Sequence, residues 1–527
     1  MPTIDRRDFI KFVIGGAVGT LVSPLPWVPM DEVAKWSQRW APIPESGESS
    51  YLNSICLLCA GGCGIKVRLI EKKRAIKIDG QPNHPVNRGG LCPLGISGLQ
   101  YLYQESIRVK GPMKRFGLRG KGDWTPISWE QAVTEMTQRM KDLRDNGLAH
   151  TVAVLDGRGG QGSLSSLFGR FLKAYGSPNH VRPFQLSQTE EMATAALFGS
   201  RRSLGYDLPG AKYILSFGTA LLDGWGTPTW VSQAYQEWRK PEGRARLVQV
   251  EPLASTTASL ADEWLPVRPG TEAALALGLA QVMLAKGWYN RDFVQSRASG
   301  LEGLKTFLDS RYPLEQVVKI TGLTPAQIEK LAQDFGSAKQ AVALSGRGKG
   351  ELPVGLLEAA AVQILNILVG AVNRSGGVMP MAEGGFTANW PKAALDGTAE
   401  KGAGQPRLDS AAAGKFPAGQ PQVNQFFWSG AHKTPYPVNL LMVHEANPAF
   451  TLSGEAFQAA LQEIPYLVSF SSFFDETTAM ADLILPAPTF LERWDDAYGV
   501  PGVPFPVYGL AKPVLPPLHG NRNVGDT

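Results

Sequence analysis

Four cysteines, the full complement of this chain, constrain its fold more than any other feature of the sequence. They are Cys56, Cys59, Cys63 and Cys92, and all lie in one short window near the amino terminus. The first three follow the spacing Cys-x2-Cys-x3-Cys, with glycines at positions 61, 62 and 64, and the fourth precedes a proline. Because glycine permits tight and left-handed turns, a loop of this composition can wrap closely around a compact group.

Three kinds of chemistry suit four thiols. In an exported protein they could form two disulfides, although disulfide partners seldom crowd as closely as the first three cysteines do. They could bind one structural zinc ion, although zinc sites usually use two symmetrical Cys-x2-Cys hooks. Three ligands from one loop and a fourth from the distant Cys92-Pro93 are typical of a [4Fe–4S] cluster, whose irons need one thiolate each. We predict such a cluster on Cys56, Cys59, Cys63 and Cys92, with zinc and disulfides as the alternatives.

The first 32 residues have the pattern of an export signal. Arg6 and Arg7 are followed by Phe9 and by an apolar stretch over residues 12–22, which is the order found in twin-arginine signals. The stretch is shorter than the roughly 20 apolar residues that a membrane-spanning helix needs. No clear Ala-x-Ala cleavage site follows, so the signal could stay attached as an anchor. We expect twin-arginine export to the periplasmic face of the inner membrane.

Length and composition indicate a folded protein of several domains. A chain of 527 residues exceeds what one hydrophobic core usually supports. The formal net charge of +5 is scattered, and the longest basic run is Lys72-Lys73-Arg74. We therefore expect no nucleic-acid partner. The six histidines show neither zinc nor haem-attachment spacing, so any haem would have to be carried by a partner.

Short apolar runs alternate with helical segments along the chain, which is the rhythm of βαβ units. The predicted strands are residues 152–155, 213–217, 247–250, 440–443 and 466–470. Glu251 follows one of them, at the end where α/β sheets place ligand-binding groups. A helix predicted over 273–286 comes next, and its first-turn amides could meet an anion, with a simple capped helix as the alternative. Residues 354–372 predict a core-facing helix, and residues 397–425 predict a surface insertion.

Several motifs together resemble the molybdopterin (DMSO reductase) superfamily. Those around the cysteines are residues 56–64, 87–93 and 127–132. Others resemble the family's pterin-dinucleotide-binding stretch, and they are residues 251–252, 261–272, 445–449, 476–477 and 481–487. The likeness runs from about Ser50 to the end of the chain. It implies that Glu251 and Glu272 contact the pterin cofactor.

The resemblance also implies an α/β fold of three domains. A small iron–sulfur domain would occupy residues 48–105. Two Rossmann-like α/β domains of the molybdopterin oxidoreductase fold would follow, the first discontinuous over 106–150 and 353–527 and the second over 151–352. The barrel domain that usually closes the family fold would be missing, either through truncation or because it lies on a separate chain.

Two positions depart from the catalytic members of this family. Such members have a metal ligand shortly after a Gly-Ser-Pro-Asn-like turn, and the resemblance places Ser187 there, after residues 176–179. Ser187 and Glu190 also have the spacing of a capping box, worth ~1 kcal/mol at a helix start, and we favour that role. Where many catalytic relatives have a lysine between cluster and pterin, this chain has Leu94, which carries no charge, although other members also tolerate substitution there.

Two functions remain open. We favour an electron-transfer, catalytic-like subunit of a membrane-associated menaquinone reductase complex, with one [4Fe–4S] cluster and without molybdenum or molybdopterin guanine dinucleotide. It would not itself be the site of substrate chemistry. This reading rests on resemblance to the molybdopterin-binding-like subunits of menaquinone reductases and, more distantly, of alternative complex III.

The same resemblance implies three partners: a ferredoxin-like iron–sulfur subunit, a quinone-binding integral membrane subunit and a multihaem cytochrome c. The alternative function is a catalytic molybdopterin enzyme that acts on polysulfide, thiosulfate or another oxoanion or sulfur compound. In that case Ser187 would be the metal ligand.

Overall fold

The structure, a computed structural model, describes residues 10–11, 47–158, 162–183, 186–346, 355–381, 390–411, 422–452 and 454–527. All but two residues of the predicted export signal therefore lie outside the described residues. The strands form one three-stranded, one four-stranded and one seven-stranded sheet, together with two separate strand pairs. Among the helices that the structure describes, none is both long and apolar enough to span a bilayer.

The amino-terminal domain is built on a small antiparallel sheet. Its strands lie side by side in the order β1 (Ser49–Ile55), β2 (Gly64–Ile70) and β3 (Arg74–Gly80). Alternate side chains of β2, namely Ile65, Val67 and Leu69, are buried, as expected for a strand with one face on a core. Short helical turns follow the sheet at Pro93–Ile96, Ser97–Leu99 and Gln100–Tyr103.

The seven-stranded sheet is the largest. Its spatial order is β5 (Trp124–Pro126), β4 (Met113–Arg115), β16 (Leu483–Ile484), β15 (Tyr466–Ser469), β14 (Leu440–His444), β6 (Val152–Asp156) and β7 (Asn179–Val181). The strands from β16 to β7 run parallel, and β4 and β5 add an antiparallel edge. Its central strands β6 and β14 are buried along their whole length, which is why they read as continuous apolar runs in the sequence.

Helices and short turns cover and connect this sheet. They span Trp129–Asp145, Ala149–Thr151, Ser163–Tyr175, Gly397–Ala403, Val423–Ala431, Pro448–Thr451, Glu455–Glu463, Glu476–Ala479 and Val524–Asp526. The antiparallel pair β17 (Asp495–Tyr498) and β18 (Tyr508–Ala511) follows the last strand of the sheet. Phe490 and Leu515, from either side of this pair, join the core of the amino-terminal domain, so the carboxyl-terminal part of the chain packs against that domain.

The four-stranded sheet forms the centre of the other α/β domain. All its strands are parallel, in the order β11 (Glu263–Leu265), β10 (Arg246–Val250), β9 (Tyr213–Phe217) and β12 (Ala341–Ser345). A separate antiparallel pair consists of β8 (Ser203–Tyr206) and β13 (Val378–Met381). The helices and turns of this domain span Leu186–Phe198, Leu208–Gly210, Pro228–Arg239, Thr256–Leu260, Glu272–Lys286, Arg291–Arg297, Leu301–Arg311, Leu314–Thr321, Pro325–Ser337 and Leu356–Leu368.

The predicted α/β architecture is confirmed, and each predicted strand has a counterpart in the sheets above. The sheets differ, however, from the predicted division at residues 151 and 353. Strands β6 and β7 hydrogen-bond within the seven-stranded sheet, and the helix Leu356–Leu368 shares a core with the four-stranded sheet. An apolar strand does not indicate which sheet it joins, because its partners are chosen by packing between distant parts of the chain.

The predicted surface insertion at residues 397–425 is wrong in part. The helix Gly397–Ala403 buries Ala399 and Gly402, and a side chain at position 402 would clash with the backbone of Gly176. Arg407 then donates to the carbonyls of Pro178 and His180. The small residues of this segment suggested a loose loop. In the structure, Gly402 is small because its backbone lies close to that of Gly176. Residues 412–421 lie outside the described part of the chain.

Candidate functional site

A single hairpin loop carries three of the four cysteines. Cys56 follows β1 directly and Cys63 directly precedes β2, so the two residues continue the pairing of these strands. The amide of Cys56 donates to the carbonyl of Cys63 over 2.8 Å and closes the loop. Cys59 lies between them, and its Sγ accepts the amide of Gly61 at 3.4 Å. All four cysteines of the chain are free of disulfides in the structure.

Glycines allow the loop to turn this tightly. A Cβ atom at Gly61 would lie 3.4 Å from the Sγ of Cys59 and 3.7 Å from the Sγ of Cys63, so this position faces both sulfurs. Gly62 has a φ of 52°, a left-handed conformation that glycine adopts without steric cost. The loop thus combines a left-handed turn with a bare backbone beside its sulfurs, which is what wrapping around a compact group requires.

Cys92 occupies the N-cap of the short helix Pro93–Ile96. Pro93 takes the first helical position. The amide hydrogen that proline lacks costs nothing there, because it would have no acceptor within the helix. The amide of Ile96 donates to the carbonyl of Cys92 at 3.0 Å. The Cys-Pro pair therefore acts as a helix start that fixes the backbone of the fourth cysteine. Leu94 beside it is 39% exposed.

Asn87 ties the cysteine loop to the segment that carries Cys92. Its fully buried side-chain amide accepts from the amide of Gly64 at 2.8 Å and donates to the carbonyl of Gly64 at 2.9 Å. It also donates to the carbonyl of Gly90 at 2.6 Å. Because Gly64 adjoins Cys63 and Gly90 lies two residues before Cys92, one side chain sets the position of both cysteine-bearing segments.

The helix Pro228–Arg239 of the other α/β domain also contacts this site. Oγ1 of Thr229 lies 3.1 Å from Sγ of Cys63, and both side chains are buried. One turn later, the side chain of Gln233 donates to the backbone carbonyl of Asn87. Residues four apart share a helix face, so one face of this helix meets both cysteine-bearing segments.

The four thiols lie in an environment that disfavours isolated thiolates. Burial raises the pKa of Cys56 to about 12 and the pKa of Cys63 to about 11. Charges on Cys59 and Cys92 raise both pKa values further, because thiolates close to one another repel. Four thiolates at this place need a positively charged group between them, and the irons of a cluster would supply it.

The donor set fits a [4Fe–4S] cluster, which takes four cysteine thiolates. In the part of the chain that the structure describes, no three His, Cys, Asp or Glu side chains surround a single metal-ion position. A zinc ion would draw its sulfurs to about 2.3 Å from one point. A cubane instead gives each thiolate its own iron and spaces the four sulfurs more widely.

The two glutamates predicted to contact a pterin lie at the expected ends of their elements. Glu251 follows β10, is buried, and accepts hydrogen bonds from the amide and the hydroxyl of Ser255. Glu272 begins the helix Glu272–Lys286 and is 3% exposed, a position where a carboxylate complements the helix dipole. Their contact with a pterin stays a prediction.

The side chain of Ser187 lies outside the described residues, so both of its predicted roles stay predictions. The helix that includes it spans Leu186–Phe198. Glu190, the predicted partner of Ser187 in a capping box, is buried and accepts a hydrogen bond from the hydroxyl of Tyr206 at 3.2 Å. Burial raises the pKa of Glu190 to about 8. The structure thus gives Glu190 an interior partner that the sequence did not indicate.

The carboxyl edge of the seven-stranded sheet is a second place where this fold could bind a ligand. Strand β6 is followed by β7 on one side and has β14 on the other, so the strand order reverses between β6 and β14. Asp156 and His444 end these two strands. The next residues, Gly157 and Glu445, approach so closely that a side chain at position 157 would clash with the carbonyl of Glu445. We call this place the sheet crevice.

Paired charges fill the sheet crevice. Arg493 pairs with Glu445, and its Nη2 lies 2.8 Å from Oδ2 of Asp495. Arg158 lies 2.6 Å from Asp495 and 3.7 Å from Glu445. Burial pushes the pKa of Asp495 upward, but Arg493 and Arg158 hold it below its usual value. Two guanidinium groups and two carboxylates therefore neutralise one another.

Sequence reasoning missed Asn87, Thr229 and the charges of the sheet crevice. Asn87 stands in a glycine-rich motif, where a buried amide that bonds backbone is a reasonable expectation. Thr229 follows Pro228, and a proline there does signal a helix start. The pairing of Thr229 with Cys63 carries no local signal, because 166 residues separate the two.

Comparisons with known proteins agree with this architecture. A family model described as Molybdopterin oxidoreductase matches residues 108–499, and one described as Molybdopterin oxidoreductase Fe4S4 domain matches residues 50–104. The chain is 32% identical to the menaquinone reductase, molybdopterin-binding-like subunit of Nitratidesulfovibrio vulgaris, over 99% of this chain and 71% of that protein.

Two further similarities extend the comparison. The arsenate respiratory reductase molybdopterin-containing subunit of Shewanella sp. is 26% identical, over 93% of this chain and 61% of that protein. Among solved structures, acetylene hydratase from Pelobacter acetylenicus superimposes with a TM-score of 0.71 at 21% identity, over 90% of this chain and 67% of that one. The structural match shows the fold.

Proposed function

Because this chain belongs to the molybdopterin oxidoreductase family and carries that family's Fe4S4 domain, we propose that it is an electron-transfer, catalytic-like subunit of a menaquinone reductase complex. It would hold one [4Fe–4S] cluster and no molybdenum. The observation that carries this proposal is a contrast within the molecule. The cysteine site offers four donors without a positive partner among them, whereas the charges of the sheet crevice are already paired.

The paired charges bear on pterin binding. A pterin dinucleotide carries a pyrophosphate, and phosphates in proteins are usually bound by unoccupied arginines or by amides at helix starts. In the sheet crevice, Arg493 and Arg158 are held by Glu445 and Asp495, and these carboxylates would repel a phosphate. The side chains there do not fit an anionic ligand, which supports a chain without a pterin dinucleotide at this place.

Bound to the four cysteines, the cluster would supply one-electron transfer. The residues of the chain hold it and control its surroundings. Asn87 fixes the two cysteine-bearing segments relative to each other, and the apolar side chains of Leu58 and Phe490 pack around the loop and limit the access of water. Cys92 and its neighbour Leu94 lie nearer the surface, which gives an electron a short route in or out.

The proposal extends to location and partners. A relative named as a subunit of a menaquinone reductase supports a complex of several subunits. We infer export by the twin-arginine route to the periplasmic face of the inner membrane, and association with a ferredoxin-like subunit, a quinone-binding membrane subunit and a multihaem cytochrome c. Electrons would pass between the cytochrome and the quinone through this chain and the ferredoxin-like subunit.

Metal analysis of the purified chain tests the proposal. We expect about four iron atoms per chain, as one cubane requires, and neither molybdenum nor tungsten. The same sample, isolated without oxygen, should show the broad visible absorption of an iron–sulfur protein. Stoichiometric molybdenum would contradict the proposal, and an iron-free, colourless protein would remove its basis.

A second candidate function is a catalytic molybdopterin enzyme acting on an oxoanion or sulfur compound. The likeness to an arsenate respiratory reductase subunit favours it, because arsenate is an oxoanion. In that case Ser187 would ligate the metal, and replacing it with alanine should abolish turnover. If Ser187 has only a structural role, the same substitution should leave electron transfer through the cluster intact.

A further inference from the structure

We propose that Thr229, on the helix Pro228–Arg239, raises the reduction potential of the cluster by donating a hydrogen bond to the sulfur of Cys63. The residue that tunes the cluster would thus come from the neighbouring α/β domain and not from the cysteine-bearing domain. The inference rests on the cluster-binding part of the proposed function. It holds whether or not the chain also binds molybdenum.

The protonation state of Cys63 fixes the direction of this hydrogen bond. Oγ1 of Thr229 lies 3.1 Å from Sγ of Cys63, and each residue is 6% exposed, so water does not compete for either atom. In a free thiol, either atom could donate the proton. A cysteine bound to iron is a thiolate without a proton, so once the cluster is bound the hydroxyl must be the donor.

A donor at this position favours the reduced cluster. Reduction adds one negative charge, part of which resides on the cysteine sulfurs, and a hydrogen bond to a more negative sulfur is stronger. The buried setting of Thr229 and Cys63 increases the effect, because a low local dielectric strengthens electrostatic interactions. Thr229 also lies in the first turn of its helix, whose positive end acts in the same direction.

Neighbouring contacts hold the Thr229 hydroxyl in place. Thr227, at the N-cap of the helix, donates from its hydroxyl to the carbonyl of Pro501 at 2.8 Å. Gln233 anchors the next turn to Asn87. The helix start is therefore fixed on both sides of Thr229, as a group that sets a potential must be. By contrast, the hydrogen bond to the sulfur of Cys59 comes from the backbone amide of Gly61, which a side-chain substitution leaves in place.

Replacing Thr229 with valine tests the proposal, because valine keeps the shape and removes the hydroxyl. The full-length chain with its cluster is titrated electrochemically while the reduced cluster is followed by electron paramagnetic resonance. We expect a midpoint potential more negative than that of the wild type. At the wild-type midpoint, the ratio of reduced to oxidised cluster should fall about twofold to tenfold, because only the difference in hydrogen-bond strength between the two states counts and the worth of one hydrogen bond is its upper limit. Thr229→Ser should restore the wild-type value.

Thr257→Val is the matched control. Thr257 is also a buried threonine of the second α/β domain, but its hydroxyl accepts from the amide of Leu222 and not from the cysteine loop. This variant should keep the wild-type potential. A shift in Thr257→Val as large as that in Thr229→Val would overturn the proposal, since any perturbation of the domain would then act on the cluster.

Two other outcomes would also overturn it. One is a Thr229→Val protein with the wild-type potential and full iron content. The other is loss of iron from both Thr229→Val and Thr229→Ala while Thr229→Ser keeps its cluster, because the hydroxyl would then serve to retain the cluster. Stoichiometric molybdenum in the wild type would refute the proposed function and leave the role of Thr229 standing.

Discussion

The cysteine loop and the sheet crevice are both buried polar places, but their charges are arranged in opposite ways. At the loop, burial and mutual repulsion raise the pKa values of Cys56 and Cys63, so the thiols resist ionisation until a positive group arrives. In the sheet crevice, Arg493 and Asp495 satisfy each other, and the pKa of Asp495 is lowered.

This difference teaches how to separate a binding site from a structural one. Burial is common to both places, so burial alone does not mark a site. What differs is whether the charged form of each side chain has an oppositely charged partner within the chain, as Arg493 and Asp495 do in the sheet crevice. A buried charge pair of this kind holds a protein together only while it is complete. Four thiolates without a positive partner have a different purpose, because they are costly until a positively charged ligand neutralises them.

The largest expected effect comes from removing one donor at the loop. Cys59→Ser should lose the visible iron–sulfur absorption and most of its iron, because a cubane needs a thiolate on each iron and a serine hydroxyl is a poor substitute. Iron content and absorption of the anaerobically isolated variant measure this. Ser310→Ala, a change on an exposed helix, is the control and should keep both. A Cys59→Ser protein with normal iron would refute the ligand assignment.

The next largest effect should come from breaking the pairs of the sheet crevice. Arg493→Met leaves Glu445 and Asp495 without one of their two partners and should lower the free energy of unfolding by about 3–5 kcal/mol. Denaturant unfolding followed by tryptophan fluorescence measures the loss.

Arg244→Met provides the comparison for this prediction. It breaks an exposed pair with Asp262 and should cost about 1 kcal/mol or less. Equal losses in the free energy of unfolding for Arg493→Met and Arg244→Met would show that the ion pairs of the sheet crevice stabilise the fold no more than surface pairs do.

Asn87→Leu should have an intermediate effect, and it acts on the loop without touching a cysteine. The substitution removes the hydrogen bonds to Gly64 and Gly90 and leaves buried backbone groups unpaired. It should lower the free energy of unfolding by about 1–3 kcal/mol. The variant should still bind iron but release it faster to a chelator. Denaturant unfolding measures the loss of stability, and the rate of iron release to a chelator measures the hold on the cluster. A wild-type release rate would mean that Asn87 does not fix the loop.

The smallest effect is expected from a comparison of pH dependence, because it isolates the contribution of one carboxyl group, that of Asp495. The folded-state pKa of Asp495 lies below its unfolded value, so its stabilisation is complete above the unfolded value of about 3.9 and is lost as pH falls toward the folded value. The free energy of unfolding, measured from pH 6 to pH 3, should therefore decline less steeply in Asp495→Asn than in the wild type. Parallel curves would contradict a charged, paired Asp495.

The sequence predicted the parts of this molecule that depend on local pattern. Apolar runs such as residues 213–217 and 440–443 became buried parallel strands because such strands are covered on both faces. The loop at residues 56–63 followed from its cysteines and glycines. Strand β6 pairs with β14, a strand from the far end of the sequence, and β7 joins the same sheet only through β6; no local pattern in the sequence records these pairings.

The same limit explains the parts of the sites that were missed. Thr229 and Arg493 are ordinary residues of their own segments, and each gains its role only when a distant segment is folded against it. Glu190 was predicted to reach back toward Ser187, but a fully buried tyrosine, Tyr206, lies within its reach and donates to it. The local spacing did not indicate this tertiary partner, and the predicted capping box of Ser187 and Glu190 stays a prediction.

The helix Pro228–Arg239 joins two domains through one face, with Thr229 on the cysteine loop and Gln233 on Asn87. A thiolate bound to iron accepts a stronger hydrogen bond than a neutral thiol. The domains are consequently held together more firmly once iron and sulfide have been inserted. Insertion of the cofactor and docking of the neighbouring domain are thus coupled, so a chain without its cluster should open more readily at this helix than a finished one.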